Sequence, residues 1–296
     1  ILASGSPETV FRLHREEIDQ YGIWYPEVWK DYLVSEKFKE INELRIQENM
    51  PNLKHQKAII KLQDFIGYRG KEEKVIIPQA EIKAGSWIAV IGDNGAGKST
   101  FLLALMHLLK TTGSYELNGE SIDLQNRKKR PPAGLSLVFQ NPELQFITNT
   151  VFDEIAFSLR LMGRSEQEIR TEVTGLLEMF HLVENEQRHP FQLSMGQKRR
   201  LSVATAFSEG STMLLLDEPT FGQDARNTFV ILEKLEQLRK SGTTIVMVTH
   251  DTKIVENFAT EVWTIDQGML VNRSVSEKIT EQEWKVNRHA GIVHTT

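Results

Sequence analysis

One short stretch of the sequence limits the possible folds more than any other. Residues 92–99 read GDNGAGKS, which matches the pattern G-x-x-x-x-G-K-[ST]. The apolar run 87–91 precedes them, and a helical pattern over 97–109 follows. In this context the glycines let backbone N–H groups surround phosphates, Lys98 reaches the β- and γ-phosphates, and the Ser99 hydroxyl can bind Mg²⁺. We therefore expect a nucleoside triphosphate site on a strand–loop–helix unit.

The same alternation of short apolar runs and longer helical patterns continues through residues 61–267. It is typical of an α/β domain built on a largely parallel sheet. Residues 149–189 are interpreted as a helical insertion on that sheet, because their apolar positions recur at near-helical spacing. The predicted buried strands are 87–91, 135–139, 213–216 and 244–248, and the predicted helices are 97–109, 151–161, 167–180, 197–207 and 225–240.

Two carboxylates follow the apolar strand predicted at 213–216. Asp217 is expected to hold Mg²⁺ through its water shell, and Glu218 to orient and polarise an attacking water as general base. Carboxylates after a strand also serve as helix caps, so this pair alone would be consistent with either a catalytic or a capping role. The phosphate loop upstream favours the catalytic role.

Composition excludes several other classes of protein. The 35 basic and 40 acidic residues give a net charge of −5, which argues against broad nucleic-acid binding. There is no cysteine, which excludes disulfides and thiolate metal sites, and the histidines have no metal-ligand spacing. No window approaches 18 consecutive apolar residues, so no membrane-spanning helix is expected.

A further element, LSMGQ at residues 193–197, lies between the phosphate loop and the two carboxylates. Gln140 follows one predicted strand and His250 follows another. In this order the motifs resemble the ATP-binding cassette (ABC) family over residues 61–267. The resemblance implies an α/β P-loop NTPase cassette with a mixed sheet core, a β-subdomain and a helical subdomain, and it implies Mg²⁺ as cofactor and ATP as substrate.

The resemblance also implies a role for each motif residue. Catalytic roles fall on Glu218, His250 and Gln140, and Mg²⁺ ligation falls on Ser99, Gln140 and Asp217. The D-loop contributes Asp224, and the signature motif is Leu193, Ser194, Met195, Gly196 and Gln197, with methionine where the family usually has its first glycine. The nucleotide-binding residues are Tyr68, Gly92, Asp93, Asn94, Gly95, Ala96, Gly97, Lys98, Ser99 and Thr100; for Tyr68, a role in the core is the alternative to stacking on adenine.

In that family the signature completes a nucleotide site held by the opposite subunit. Ser194 and the helix that follows would bind the γ-phosphate of a nucleotide on the other cassette. We therefore expect activity to require a second ABC domain, either another copy or a missing N-terminal half. Met195 puts in question the strength of the site that this signature completes.

Three segments are similar to the C-terminal half of the tandem ATPases of energy-coupling factor (ECF) importers. They are residues 139–146 (FQNPELQF), 193–200 (LSMGQKRR) and 217–224 (DEPTFGQD). This resemblance implies an ATPase subunit at the cytoplasmic face of the cell membrane, peripheral to a transmembrane scaffold and a substrate-capturing membrane protein. The cargo is expected to be a vitamin or similar micronutrient, such as thiamine or its hydroxymethylpyrimidine precursor. The alternative is a soluble tandem ABC protein that acts on ribosomes.

The domain organisation is predicted from a faint internal repeat. Residues 1–6 (ILASGS) resemble residues 269–274 (MLVNRS), although chance explains so short a match about equally well. Residues 1–26 are also similar to the C-terminal tail of a cassette in the ECF group. We expect the tail of a preceding ABC domain over 1–34, a linker over 35–60, the ABC ATP-binding domain over 61–268 and a C-terminal tail over 269–296.

Several charged residues receive weaker predictions. Glu143 is expected to form an ionic contact with a basic coupling helix of the membrane scaffold, with an ordinary surface glutamate as the alternative. The basic residues 198–200 are expected to contact nucleotide or a partner. The basic run 127–130 is interpreted as a solvated loop, because no aromatic residue is interleaved with it.

Near the N-terminus, Ser6 followed by Pro7 predicts the start of a short helix.

Overall fold

The computed structural model describes residues 6–47, 57–124, 131–208 and 210–275. The predictions for residues 1–5, the basic run 127–130 and most of the tail 269–296 lie outside these ranges. None of the described helices is long and apolar enough to cross a membrane. The described helices are α1 (Pro7–Leu13), α2 (Arg15–Gln20), α3 (Val28–Val34), α4 (Glu36–Gln47), α5 (Lys98–Leu105), α6 (Val151–Leu161), α7 (Glu166–Met179), α8 (Met195–Ser208), α9 (Ala225–Lys240) and α10 (Thr252–Phe258).

All described strands belong to one mixed sheet. They are β1 (Ala58–Arg69), β2 (Glu72–Lys83), β3 (Trp87–Ile91), β4 (Lys110–Leu117), β5 (Glu120–Ser121), β6 (Leu135–Val138), β7 (Met213–Asp217), β8 (Thr244–Val248), β9 (Glu261–Asp266) and β10 (Met269–Val275). The order across the sheet is β5-β4-β1-β2-β10-β9-β3-β8-β7-β6. Strands β9, β3, β8, β7 and β6 run parallel, whereas β1, β2, β4 and β5 pair antiparallel. The expected mixed sheet core and β-subdomain are therefore confirmed.

The parallel strands form because their residues are apolar on both faces. Every residue of β3, β7 and β8 is buried, which is typical of a strand covered by helices on both sides. One core cluster contains α6–α9 and the helical side of the sheet. The other contains α5, which packs against β1, β2 and β7 with Phe101 and Leu102 buried. The helix that follows the phosphate loop is thus packed against the sheet.

The helical subdomain follows β6 and consists mainly of α6, α7 and the first part of α8. Thr150 caps α6 by accepting from the amide of Asp153 at 3.0 Å. Ser165 and Glu168 form a reciprocal capping box at the start of α7. Such caps satisfy amide groups that have no partner within the helix, so they define where each helix begins.

Some boundaries differ from the sequence-based expectations. Helix α5 ends at Leu105 rather than at residue 109, because His107 adopts a left-handed backbone with φ +56° and the Leu108 amide donates to the Leu103 carbonyl at 3.0 Å. Strand β1 begins at Ala58, inside the segment expected as a linker, and β10 lies in the sheet beyond residue 268. The Ser6 cap is confirmed, since its hydroxyl accepts from the Thr9 amide.

Candidate functional site

The phosphate loop joins β3 to α5 and is shaped by its glycines. Gly97 caps α5 with a left-handed backbone, φ +106°. A Cβ there would lie 2.7 Å from the Lys74 carbonyl oxygen and 3.3 Å from Cα of Gly268. The Gly268 amide in turn donates to the Ala96 carbonyl at 2.8 Å. The loop is therefore held from outside by β2 and by the turn between β9 and β10, and only glycine fits at this contact.

Lys98 closes the loop on itself. Its Nζ donates to the carbonyl oxygens of Gly92 at 2.9 Å and Asp93 at 2.8 Å. Burial lowers the pKa of Lys98, and the carboxylates of Glu218 and Asp217 oppose that shift. The ammonium thus lies in the field of both carboxylates that follow β7. The neighbouring loop residues Asp93, Asn94 and Gly95 are exposed, so their backbone is accessible to a ligand.

Asp217 offers an oxygen suited to a hard cation. Its Oδ1 is buried and has no hydrogen-bond partner among the described residues. Burial raises the pKa of Asp217, and a hydrogen bond from the Ser99 side chain opposes this shift, which places that hydroxyl beside the carboxylate. A carboxylate oxygen and a hydroxyl are ligands that Mg²⁺ accepts. The donor set therefore fits a magnesium site, although no cluster of three or more acidic or histidine side chains occurs in the described residues.

Glu218 directly follows Asp217 and adopts an unusual backbone. Its φ of +51° lies in the left-handed region, which is sparsely populated by residues other than glycine and is often found at functional sites. Its amide donates to the Val248 carbonyl at 3.1 Å, which fixes the turn after β7. Its Oε1 lies 3.2 Å from Nε2 of His250, and its side chain is 14% exposed. The pair is thus close-packed yet accessible from one side.

The register of the parallel strands brings these residues to one edge of the sheet. Val90 of β3 pairs with Val248 of β8, and Val248 also pairs with Asp217 of β7. On the other side of β7, Leu216 pairs with Val138 of β6. The loop after β3, His250 after β8, Glu218 after β7 and Gln140 after β6 therefore follow neighbouring strand ends. Gln140 itself is exposed.

The signature segment begins α8 and contacts the D-loop. The Ser194 amide donates to Oε1 of Gln197 at 2.9 Å, while the Gln197 amide donates to the Ser194 hydroxyl at 3.3 Å, a reciprocal capping box. Leu193 is buried, whereas the Met195 side chain is 59% exposed. The Gly196 carbonyl accepts from the Gln223 side chain at 3.3 Å. Ser194 is exposed, so the cap does not prevent contact with a second molecule.

Asp224 and Tyr68 both have partners within the chain. Asp224 caps α9, accepting from the backbone and side-chain nitrogens of Asn227 at 2.7 and 2.6 Å. Nζ of Lys110 lies 4.8 Å from the centroid of the Tyr68 ring, a cation–π arrangement. The ring is half-buried at the end of β1. Its stacking on adenine stays a prediction.

Residues 143 and 198–200 have partners inside the domain, and their predicted contacts with a coupling helix, nucleotide or partner stay predictions. Lys198 is buried and its Nζ lies 2.5 Å from Oε1 of Glu143. Arg199 donates to the Phe139 carbonyl at 2.9 Å, and Arg200 donates to the Phe180 carbonyl at 2.8 Å. The basic residues therefore connect α8 to the segment after β6 and to the end of α7. Sequence reasoning missed these contacts because the partners are 20 to 60 positions apart.

Comparison with known proteins identifies the family. The family model described as ABC transporter matches residues 78–221. A putative HMP/thiamine import ATP-binding protein from Bacillus subtilis is 32% identical over 293 residues, which cover 96% of this chain and 53% of the relative. An energy-coupling factor transporter ATP-binding protein from Ligilactobacillus salivarius is 35% identical over 224 residues, covering 73% of this chain and 77% of the relative. The chain spans about half the length of the longer curated relatives, at 53% and 51%.

Solved structures agree with the sequence comparison. The structure of cbiO1 from Clostridium perfringens, part of the ABC transporter complex cbiONQ, is 28% identical with a TM-score of 0.62 over 78% of this chain and 94% of that one. A dimeric ATP-binding cassette in a post-hydrolysis state bound to ADP and Pi is 25% identical with a TM-score of 0.63 over 74% of this chain and 100% of that one. The motifs, the fold and these relatives together show that the chain belongs to the ABC transporter family and contains its ATP-binding cassette.

Proposed function

We propose that this chain binds and hydrolyses ATP at the sheet edge formed by the ends of β3, β6, β7 and β8. The observation that carries the proposal is the convergence there of one lysine, two carboxylates and one histidine. Lys98 lies in the field of Asp217 and Glu218, and Glu218 lies 3.2 Å from His250. A cation, a general base and a histidine within reach of one another form the set that phosphoryl transfer needs.

Lys98 is the residue that would receive the phosphates. Its ammonium bonds two carbonyl oxygens of the loop, and phosphate oxygens are stronger acceptors because they carry charge. Exchange of those carbonyls for phosphate would open the loop around the β- and γ-phosphates. Amide groups of Asn94 to Thr100, at the N-terminus of α5, add donors and a favourable dipole.

Glu218 is the residue proposed to take the proton from the attacking water. Its carboxylate is mostly buried and lies 3.2 Å from Nε2 of His250, at the turn after β7. His250, beside it, would contact the γ-phosphate, and Gln140 at the end of β6 would contact the same group. Proton transfer to a positioned base contributes typically about 10²- to 10⁴-fold to rate.

Ser99, Asp217 and Gln140 are the residues proposed to hold Mg²⁺. The unpaired buried Oδ1 of Asp217 supports this assignment. When bound, Mg²⁺ supplies positive charge that neutralises the β- and γ-phosphate oxygens. Asp217 is thus costly to bury without a cation, which explains why burial raises its pKa in the free protein.

A second ABC domain is proposed as the immediate partner. The capping box leaves Ser194 exposed at the start of α8, a 14-residue helix whose N-terminus can bind an anion. The chain spans about half of its longer relatives, which leaves room for a preceding cassette in the complete protein. Residues 1–34 as the tail of that cassette and 35–60 as a linker remain part of this proposal.

We further propose that the complete protein powers an ECF-type importer from the cytoplasmic face of the membrane. Support comes from the names of relatives, which include ECF transporter ATP-binding proteins and an HMP/thiamine import ATP-binding protein. The partners would be a transmembrane scaffold and a substrate-capturing membrane protein. Thiamine or its hydroxymethylpyrimidine precursor is the proposed cargo. Transporter names among the relatives favour this function over one on ribosomes.

Glu218→Gln tests the hydrolytic proposal in the complete, assembled protein. We expect ATP turnover to fall at least about a hundredfold, because the amide cannot accept the proton, while ATP binding is retained. Glu184→Gln, which neutralises an exposed carboxylate on the turn 183–185, is the matched control and should leave turnover unchanged. Unchanged turnover in Glu218→Gln would contradict the assignment.

Purification of the tagged complete protein from gently solubilised cells tests the importer proposal. Co-purification of small hydrophobic membrane proteins is the expected result, and the identity of the substrate-capturing one would test the cargo. Ribosomal subunits without any membrane protein would leave the ATPase chemistry intact and overturn the importer.

A further inference from the structure

Helices α3 and α4, together with the turn before α3, pack on α9, the helix that follows the D-loop. The ring of Phe229, on α9, stacks on Tyr32 with centroids 3.8 Å apart, and Trp24 and Trp29 approach it edge-on at 6.1 and 5.1 Å. Further along α9, Lys240 donates to the Ile41 carbonyl at 2.5 Å. These contacts fix the segment along the length of one helix.

The turn between α2 and α3 reaches the D-loop itself. Nε1 of Trp24 donates to the Gln223 carbonyl at 2.8 Å. The Ala225 amide donates to the Gly22 carbonyl at 2.9 Å. The two hydrogen bonds lie on either side of Asp224, so they hold the D-loop backbone before and after that residue. We call residues 22–24 the D-loop brace.

The approach of the brace is close enough to require glycine. Gly22 has φ +66°, and a Cβ on it would lie 3.0 Å from Oδ1 of Asp224 and 3.1 Å from Cβ of Arg226. Any larger residue would push on the carboxylate that caps α9. The brace therefore fixes where the Asp224 side chain lies as well as where its backbone runs.

The D-loop residue Gln223 also contacts the signature motif. Gln223, whose carbonyl receives the Trp24 hydrogen bond, donates through its side chain to the Gly196 carbonyl at 3.3 Å. Its side chain is buried, and its Oε1 has no hydrogen-bond partner in the parts of the chain that are described. One residue thus connects the brace to the start of α8, and a shift of its backbone moves both ends of this connection.

We propose that Trp24 is a positioning residue for ATP turnover, acting through Gln223 on the D-loop and the signature. This inference rests on the proposed function, because both elements act on nucleotide only in a closed pair of cassettes. The indole holds the Gln223 carbonyl at a fixed distance from the brace. Its loss leaves nucleotide binding at this chain's own phosphate loop intact and lowers the fraction of closed pairs that reach the reactive geometry.

Trp24→Phe tests the proposal in the complete, assembled protein, because it keeps an aromatic ring beside Phe229 and removes only the N–H donor. We expect kcat to fall about fivefold, the rate equivalent of one hydrogen bond, with an unchanged Kd for a fluorescent ATP analogue. Hydrogen exchange at the Ala225 amide should become faster. Trp29→Phe, which packs on the same ring and leaves the Trp24 hydrogen bond in place, is the control for a loss of packing.

A second variant keeps the test independent of Trp24. Gly22→Ala should also lower kcat and speed exchange at Ala225, because its methyl group would press on Asp224. The proposal is overturned if Trp24→Phe and Trp29→Phe have equal kcat, or if exchange at Ala225 is unaffected. Glu218→Gln distinguishes a failure of this inference from a failure of the proposed ATPase function. If Glu218→Gln abolishes ATP turnover while Trp24→Phe does not lower it, the brace proposal fails and the ATPase proposal stands.

Discussion

The ion pair between Lys198 and Glu143 should be strongly asymmetric in its effect on stability. The Lys198 side chain is 9% exposed and that of Glu143 is 37% exposed, although their charged atoms lie 2.5 Å apart. Glu143→Gln leaves a buried ammonium without a counter-charge, whereas Lys198→Met leaves a carboxylate that water can reach. The methionine also keeps an apolar stem beside Phe191, over which Nζ now lies at 5.7 Å from the ring centroid.

The two cost estimates follow from this difference in burial. Removing one partner of a fully buried pair costs about 3–5 kcal/mol, and exposed pairs contribute about 0.2–1 kcal/mol. Glu143→Gln lies between these limits, so we expect a loss of about 2 kcal/mol. Lys198→Met should cost less than about 1 kcal/mol, because its partner is hydrated. The double variant should resemble Lys198→Met, so the coupling energy equals the loss expected for Glu143→Gln alone, about 2 kcal/mol.

Equilibrium urea unfolding of wild type, both single variants and the double variant measures these values. The free energy of unfolding should decrease most for Glu143→Gln and be partly restored when Lys198→Met is added. If Lys198→Met destabilises as much as Glu143→Gln, or if the two losses simply add, the argument from unequal burial is wrong.

Two further predictions concern the phosphate loop and α6. Gly97→Ala should lower the melting temperature more than Gly163→Ala. Both positions have positive φ, but only the methyl group at residue 97 would lie 2.7 Å from the Lys74 carbonyl oxygen. Equal shifts of the two variants in thermal denaturation would contradict this. Hydrogen bonding from Thr150 holds the pKa of Asp153 below its ordinary 3.8, so its contribution is present above that value and is lost as pH falls through the native pKa. The stability difference between wild type and Asp153→Asn, followed by thermal denaturation from pH 7 to 3, should therefore shrink with acid, and a constant difference would refute it.

The parallel half of the sheet was predictable because burial on both faces produces uninterrupted apolar runs. Strands β3 and β8 and helices α6 and α9 have the bounds expected from the sequence. Helix α8 begins at Met195 rather than at residue 197, because Ser194 and Gln197 form a cap that the apolar pattern does not encode. Apolar periodicity locates the middle of an element better than its ends.

The antiparallel strands were not placed by the sequence. Strand β1 carries a mixed pattern of buried and exposed residues over 12 positions and shifts register against both of its neighbours. Such a strand has no continuous apolar run. Its partner β2 follows directly in a hairpin, in which Arg69 pairs with Glu72, whereas its other partner β4 lies beyond β3 and α5 in the chain. The β-subdomain was expected only from the family resemblance, and its strands could be located only in the structure.

In the candidate site, too, the sequence predicts local features but not contacts between residues far apart in the chain. The sequence placed the motif residues after predicted strands, and the register of β3, β8, β7 and β6 shows that these strand ends lie at one edge of the sheet. Their chemical roles stay predictions. The Lys198–Glu143 pair and the Trp24–Gln223 contact join residues 55 and 199 positions apart, which no local pattern reports.

The signature motif is positioned from two sides, and this determines where the effect of Met195 falls. Lys198 connects the first turns of α8 to the segment after β6, and Gln223 connects Gly196 to the D-loop. Met195 directly precedes Gly196, and its side chain is 59% exposed, so its thioether adds little to the packing of this domain. In the proposed pair of cassettes the signature motif would complete the nucleotide site of the partner. We therefore expect methionine in place of glycine to change the fit of the opposite site, while the site formed by Lys98, Asp217 and Glu218 should keep its own geometry.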